Sequence, residues 1–136
     1  MIGSSTTTSN GYTAEARVIA RCVEMDYRVS IPFGDNAPYD FIVDTKKGKV
    51  LRVQVKRIYR EREGYTARFS KSKKFKGRPR DRHYTIDDCD YIVCYSCEYD
   101  VAYIFPIEDV NERTGFTVYP DQREEKKHQK YREAWF

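Results

Sequence analysis

Two short segments place polar side chains in runs that are otherwise apolar. Pro-Tyr-Asp, ending at Asp40, precedes one apolar run, and Gln-Val-Lys at 54–56 lies within the next. If the runs pair as an antiparallel hairpin that turns near Lys47–Gly48, paired positions sum to roughly 95, and Asp40 lies opposite residues 54–56. Gln54 and Lys56 share a face because they are two residues apart. A carboxylate, a carboxamide and an amine therefore meet on one face, which is costly unless they are satisfied or useful.

The other face of this hairpin is predicted to belong to the core. It carries the apolar residues Phe41, Val43, Leu51, Val53 and Val55. The simpler alternative is a solvated hairpin with ordinary surface polar side chains. Short motifs match by chance often enough that both interpretations stay open at this point.

A helix before the hairpin adds a further acid. The pattern predicts a helix over about residues 14–27, with Thr13 as its N-cap. Glu15 falls on the same stripe as Ile19, Cys22 and Val23, so it could face the sheet and reach the polar cluster. Alternatively, Glu15 lies in the first turn and only complements the helix dipole.

The remaining chain predicts an α+β fold with a central sheet. Strands are expected over about 28–33, 39–45, 49–59, 65–70, 90–97, 101–107 and 116–119, followed by a polar helix over 121–135. Residues 1–11 are rich in Ser, Thr and Gly and are expected to be flexible. A length of 136 residues fits a single domain over 1–136.

The ordered combination of these motifs resembles a known family. A helix Glu, the stretch IPFGDNAPYDFIVD and the strand LRVQVKR look like the PD-(D/E)XK nuclease superfamily, closest to the cyanobacterial-type intron-encoded homing endonucleases. The resemblance covers about residues 11–108. It implies a restriction-endonuclease-like core, a central mixed β-sheet flanked by helices. Gln54 stands where the family pattern has an acid.

The resemblance also implies a reaction and a site. Phosphodiester hydrolysis uses a hard cation with oxygen ligands, Mg²⁺ or Mn²⁺. Asp40 would be the central ligand of this ion, and the Gln54 side-chain oxygen and the Val55 backbone carbonyl would be the other ligands from the protein. Lys56 would polarise the attacking water, and Glu15 would orient a metal-bound water or bind the metal through one.

The implied activity is that of a site-specific endodeoxyribonuclease making double-strand breaks. Two alternatives remain open. One is a Holliday-junction resolvase-like nuclease, which would read branched shape. The other is a non-catalytic nucleic-acid-binding module, because a neutral Gln54 would hold the metal less tightly than an acid.

Basic residues suggest where double-stranded DNA would bind. Lys and Arg gain affinity by releasing counterions from phosphates. The candidates lie upstream of and within the run KSKKFKGRPRDR, and they are Arg57, Arg60, Arg62, Lys71, Lys73, Lys74, Lys76, Arg78, Arg80 and Arg82. The alternative is a solvated basic loop that only aids solubility.

Composition restricts the class of protein. Hydrophobic residues make up 40% of the chain, too many for a disordered protein, and the net charge is only +4. No apolar run approaches the roughly 18 residues of a membrane span. No secretory signal is recognisable, so we expect a cytoplasmic protein whose four cysteines are free thiols.

The predicted C-terminal helix is a candidate interface. Its aromatic residues Tyr131, Trp135 and Phe136 must pack on their own domain or on a neighbour. Because a double-strand break needs two active sites, we expect a homodimer or homotetramer.

Overall fold

The described residues form two β-sheets, a two-stranded ribbon and one long helix. The structure, a computed structural model, describes residues 7–34, 36–61, 64–75, 78–110, 113–125 and 127–136, and for residues 7–10, 70–75 and 78–82 it describes the backbone alone. The elements in chain order are α1 (Thr7–Glu24), β1 (Arg28–Ser30), β2 (Phe41–Asp44), β3 (Val50–Arg57), β4 (Tyr59–Glu61), β5 (Gly64–Arg68), β6 (Ser70–Phe75), β7 (Arg78–His83), β8 (Tyr91–Ser96), β9 (Val101–Pro106), α2 (Ile107–Val110), β10 (Gly115–Val118) and a 3₁₀ turn (Gln129–Tyr131).

The central sheet is mixed and buried on both faces. Its order is β1-β2-β3-β8-β9, with β3 and β8 parallel and the other pairs antiparallel. In β8, Val93 and Tyr95 belong to a core cluster with α1, whereas Ile92 and Cys94 belong to a second cluster. Alternate residues of one strand thus serve two cores, which explains its unbroken apolar run. The predicted α+β class with a mixed central sheet is confirmed.

Helix α1 is longer at its start and shorter at its end than predicted. It begins at Thr7, so Thr13 is not its N-cap. It ends at Glu24 because Asp26 adopts a left-handed conformation (φ 63°) and the amides of Asp26 and Tyr27 bond back into the last turn. No described helix is both long and apolar enough to cross a membrane.

The hairpin β2–β3 confirms the predicted pairing. Phe41 pairs with Val53 and Val43 with Leu51, so the register lies within one residue of the prediction. Its core face is buried as expected, apart from Leu51, which is half-buried. Gly48 sits in the turn at φ 86°, a conformation that glycine adopts without steric cost.

A small sheet covers the face of the central sheet opposite α1. Its order is β10-β5-β4, and its Tyr65, Ala67 and Val118 belong to the second core cluster. Phe69 follows β5 and packs edge-on against Phe105 of β9, with ring centroids 4.9 Å apart. The second layer is therefore formed by strands.

The basic run predicted as a loop is a hairpin of β6 and β7, which we call the basic ribbon. The two strands form a separate two-stranded sheet. Two buried aromatic residues flank the ribbon, Phe69 before it and Tyr84 after it. Both belong to the core cluster opposite α1, so the base of the ribbon is fixed to the core.

The predicted C-terminal helix over 121–135 is wrong, since the described part of that segment contains only the 3₁₀ turn. Instead, Arg132 bridges to Tyr103 of β9, and Glu133 exchanges bonds with the Ala102 backbone. An edge strand presents unpaired backbone groups, and satisfying them overrides the helix propensity of this sequence.

The aromatic residues of this segment pack on their own chain. Tyr131 is buried in the core. Phe136 packs against Tyr91 and Tyr27, at centroid distances of 4.8 and 6.2 Å, and Trp135 packs beside it. The predicted interface on a C-terminal helix is therefore not present in this form.

Candidate active site

Asp40 is positioned by the hairpin. It directly precedes β2, and its amide donates to the Val53 carbonyl at 2.8 Å. Its carboxylate Oδ2 accepts a 2.7 Å hydrogen bond from the Val55 amide. The carboxylate therefore accepts a hydrogen bond that a backbone carbonyl would accept in a regular strand pair. This bond fixes the carboxylate against the middle of β3.

Burial makes the Asp40 charge costly. It raises the pKa of this carboxyl above its ordinary value, although the bond from Val55 and the charge of Lys56 act in the opposite direction. An ionised carboxylate in such a place requires a positive partner for full stabilisation.

Gln54 and Lys56 lie on the same strand as expected. The Gln54 Nε2 donates to the Val55 carbonyl over 3.3 Å. The Lys56 ammonium lies 5.1 Å from the centroid of the Tyr84 ring, within the range of a cation–π contact. The hairpin thus brings together the carboxylate, the carboxamide and the amine that the sequence predicted.

Glu15, on α1, interacts electrostatically with this cluster. Burial raises the pKa of Glu15, and the nearby charge of Asp40 raises it further, so the two carboxylates are electrostatically coupled. The buried stripe of α1 consists of Ala14, Val18 and Cys22, and Glu15 is half-buried at its edge. Val23, expected on that stripe, is 58% exposed. The first-turn alternative for Glu15 is wrong, because α1 begins at Thr7.

The donor set fits a hard divalent cation. Two carboxylates, the Val55 carbonyl and the Gln54 carboxamide supply oxygen atoms, the ligands that Mg²⁺ and Mn²⁺ prefer. The Gln54 amide contacts the Val55 carbonyl through its nitrogen, and a half-turn of the amide would present its oxygen there instead. Two half-buried acids, one of which feels the charge of the other, are also a charge arrangement that a cation would relieve.

The described residues contain no group of three or more His, Cys, Asp or Glu side chains that could hold a metal ion. The candidate donor set has only two carboxylates, and its other oxygen atoms belong to neutral groups. All four cysteines are free thiols, as predicted. Cys94 and Cys97 belong to opposite sides of the central sheet, in agreement with the alternation of the strand.

The register of the basic ribbon places most of its described Lys and Arg residues on one face. Lys71 pairs with Arg82, Lys73 with Arg80, and Phe75 with Arg78. Directly paired residues and alternate residues of a strand lie on the same face. One face therefore holds Lys71, Lys73, Arg78, Arg80 and Arg82, whereas Lys74 lies on the other with Pro79 and Asp81.

The other predicted DNA-binding residues are dispersed. Arg57 ends β3, and its guanidinium lies 6.0 Å from the Tyr59 ring centroid. Arg60 is exposed on β4. Arg62 and Lys76 lie outside the described residues.

Two features near the site were not predicted. Tyr84 is buried beneath Lys56. The only feature of the sequence that pointed to a role for Tyr84 was its position directly after the basic run. Arg52 forms an ion pair with Asp90 at 3.2 Å, and its amide donates to the same carboxylate. Arg52 lies two residues before Gln54, so strand alternation could have placed it on that face. This pair ties β3 to the segment that leads into β8.

Burial of Asp90 would raise its pKa, but the hydrogen bonds and charge of Arg52 hold it below the ordinary value. Asp90 is therefore engaged in an ion pair, in contrast to Asp40, whose pKa is raised. The two aspartates therefore differ in environment, since Asp90 is paired with a cation whereas burial opposes the charge of Asp40.

Comparison with known proteins agrees with this geometry. The chain matches the family model of PD-(D/E)XK endonuclease over residues 5–136. Among solved structures, it is similar to a bacterial homing endonuclease, I-Ssp6803I, with a TM-score of 0.83 and 27% identity over 96% of this chain and 91% of that chain. No curated protein matches it.

The family match covers almost the whole sequence and carries with it an endonuclease activity. PD-(D/E)XK nucleases generally use divalent metal ions. The resemblance drawn from the helix Glu, the Asp40 segment and the Gln-Val-Lys strand is confirmed. This chain belongs to the PD-(D/E)XK endonuclease family.

Proposed function

We propose that this protein is a Mg²⁺-dependent endonuclease that cleaves double-stranded DNA at a defined site, as homing enzymes do. The observation that carries the proposal is the arrangement around Asp40. Its carboxylate is held 2.7 Å from the Val55 amide, Lys56 lies beside it and Glu15 is electrostatically coupled to it. The similarity to a bacterial homing endonuclease supports the same function.

The residues that would hold Mg²⁺ or Mn²⁺ are Asp40, the Gln54 carboxamide and the Val55 carbonyl, with Glu15 acting directly or through water. When bound, such an ion neutralises phosphate charge and lowers the pKa of water. A neutral carboxamide attracts a cation less than a carboxylate does, so Gln54 sets a weaker affinity than an acid would.

Lys56 is proposed to hold the attacking water and to offset negative charge that develops on the phosphate. An ammonium on a flexible four-carbon chain needs restraint to perform either task. Tyr84 offers that restraint through the face of its buried ring. Because Tyr84 directly follows the basic ribbon, DNA binding on the ribbon and the position of Lys56 are connected through one residue.

DNA binding is proposed on the basic face of the ribbon, with contributions from Arg57, Arg60 and Arg62. A two-stranded ribbon is narrow enough to enter a major groove. Replacing the cross-strand pair Lys73 and Arg80 by alanine should flatten the plot of log K against log salt by about 2 units, since each phosphate contact contributes roughly 0.9. Lys74→Ala is the matched control, because Lys74 neighbours Lys73 but lies on the opposite face. An equal effect of Lys74→Ala would contradict the assignment of the binding face.

The protein is proposed to act as a homodimer or homotetramer, because two strands cut at one site require two active centres. Light scattering at micromolar concentration, with and without DNA, measures this. A mass near the 16.1 kDa of the chain under both conditions would rule out the multimer and leave a nicking enzyme.

Cleavage of three substrates tests the function. Supercoiled plasmid, a randomised duplex library and a four-way junction are incubated with Mg²⁺, with Mn²⁺ and with EDTA. Metal-dependent cuts at library members that share a long common sequence are expected. Cleavage of the junction alone would favour a resolvase, and no cleavage of any substrate would favour a binding module.

A further inference from the structure

Two adjoining cavities open between β10 and the segment that follows it. Their volumes are about 730 and 280 Å³. They share Arg113, Phe116, Lys127 and His128, and so form one continuous cleft, which we call the β10 cleft. Its lining residues are separate from the four candidate catalytic residues.

Aromatic rings fix the polar groups of this cleft. The His128 ring stacks on Phe116 with a centroid distance of 4.5 Å and an interplanar angle of 26°. The Arg113 guanidinium lies 5.1 Å from the same Phe116 centroid. Lys130 lies 4.9 Å from the Tyr131 ring. Each contact reduces the freedom of a group that could meet an anion, so less entropy is lost on binding.

The charges around His128 are mainly positive. Lys127, Lys130 and Arg113 line the cleft with His128, against the acids Asp109 and Glu124. Asp109 accepts a 3.0 Å hydrogen bond from the Tyr131 hydroxyl, and Glu124 is exposed.

The charge of one further acid, Glu125, acts on His128. Glu125 is buried, accepts a bond from the Tyr119 amide and lies 3.7 Å from the Arg132 guanidinium. Its charge raises the pKa of His128. Burial lowers that pKa more strongly, and Lys127, Arg113 and Lys130 lower it further. His128 is thus predominantly neutral at pH 7, in a field that favours an incoming anion.

The cleft adjoins the base of the basic ribbon. Phe69, the residue before β6, donates its amide to the Thr114 carbonyl at 2.9 Å. Its ring lies 5.2 Å from Phe116, edge to face. A duplex that follows the ribbon toward the core therefore arrives beside Arg113 and Phe116.

We infer that the β10 cleft binds a phosphate group of the DNA backbone, with Arg113 and Lys127 offsetting its charge and His128 donating a hydrogen bond. This inference rests on the proposed function, since it continues the DNA path from the basic ribbon. A phosphate anion stabilises the protonated imidazole, so binding at the cleft strengthens as the pH falls through the pKa of His128.

Nuclear magnetic resonance of His128 tests the inference directly. The chain has two histidines, so His83→Gln leaves His128 as the single imidazole. This protein is titrated in EDTA alone, with inorganic phosphate, and with a short duplex. The duplex should raise the pKa of His128, and Arg113→Gln with Lys127→Gln should remove that rise. No rise with duplex would overturn the inference, as would a rise with inorganic phosphate alone, which indicates a site for free phosphate.

Binding and cleavage measurements separate this inference from the proposed function. Arg113→Gln with Lys127→Gln should flatten the salt dependence of duplex binding by about 2 units. If the duplex raises the pKa of His128 but no DNA is cut, only the proposed function is refuted. If DNA is cut but the duplex leaves the pKa of His128 unchanged, only the inference of phosphate binding at the β10 cleft is refuted.

Discussion

Replacing Asp40 by asparagine and by alanine separates what its carboxylate does for the reaction from what it does for the fold. Both variants remove the negative charge of the proposed central metal ligand, so both should abolish cleavage while DNA binding stays within several-fold, because the lost interactions act in the transition state. Only alanine removes the acceptor that faces the Val55 amide at 2.7 Å. The two variants should therefore be equally inactive but unequally stable.

The expected difference in stability follows from burial. Val55 is 8% exposed, and a buried donor without an acceptor costs about 1–3 kcal/mol. Asparagine keeps an acceptor oxygen and removes a carboxylate whose burial raises its pKa. At neutral pH the ionised Asp40 weakens the fold, and wild type gains stability as the pH falls through the raised folded pKa. The advantage of asparagine over wild type should therefore be largest near pH 7 and should disappear on acidification.

Urea unfolding at neutral and acidic pH measures the stability, and nicking of supercoiled plasmid measures the activity. Asp44→Asn is the matched control, since Asp44 lies in the same hairpin but pairs with Arg28 at 3.9 Å. It should cleave like wild type. Full cleavage by either Asp40 variant would refute the site. Equal stability of the asparagine and alanine variants would refute the role of the bond to Val55.

Three further predictions concern the same cluster. Gln54→Glu should retain activity and bind Mg²⁺ more tightly in calorimetry; weaker binding would mean that this side chain is not a ligand. Tyr84→Phe should keep the turnover number, whereas Tyr84→Leu should lower it several-fold with KM unchanged. The reason is that only the leucine variant lacks the ring beneath Lys56. Equal turnover numbers of the two variants would argue against that contact. In metal-free protein, Asp40→Asn should lower the pKa of Glu15, measured by carboxyl NMR, because it removes one cause of its elevation; an unchanged value would show that the acids are independent.

The hairpin at the site was predictable because its constraints are local. Apolar residues alternate along β2 and β3, and the short turn leaves little freedom in register. A slip by one residue would have turned Val53 and Val55 to the polar face and Gln54 and Lys56 to the core face. The sequence therefore determined the meeting of Asp40 with the Gln-Val-Lys strand.

The form of the C-terminal segment and of the basic run depends on contacts between distant parts of the chain. Residues 121–135 are rich in helix formers, yet Glu133 satisfies the backbone of Ala102 at the edge of β9. A local sequence pattern does not show which strand edge of the folded protein lacks a hydrogen-bonding partner. The basic run likewise reads as a loop by its Gly77 and charges, and it pairs as a ribbon between Phe69 and Tyr84.

Motif order and strand alternation were enough to indicate the family, the mixed sheet and the residues of the candidate catalytic cluster, because both act over short distances. The tertiary structure alone placed Tyr84 beneath Lys56 and formed the β10 cleft around His128. It also showed that Glu15 lies well inside α1, at the edge of the buried stripe. Each of these depends on contacts between segments far apart in the chain, whose packing no local pattern encodes.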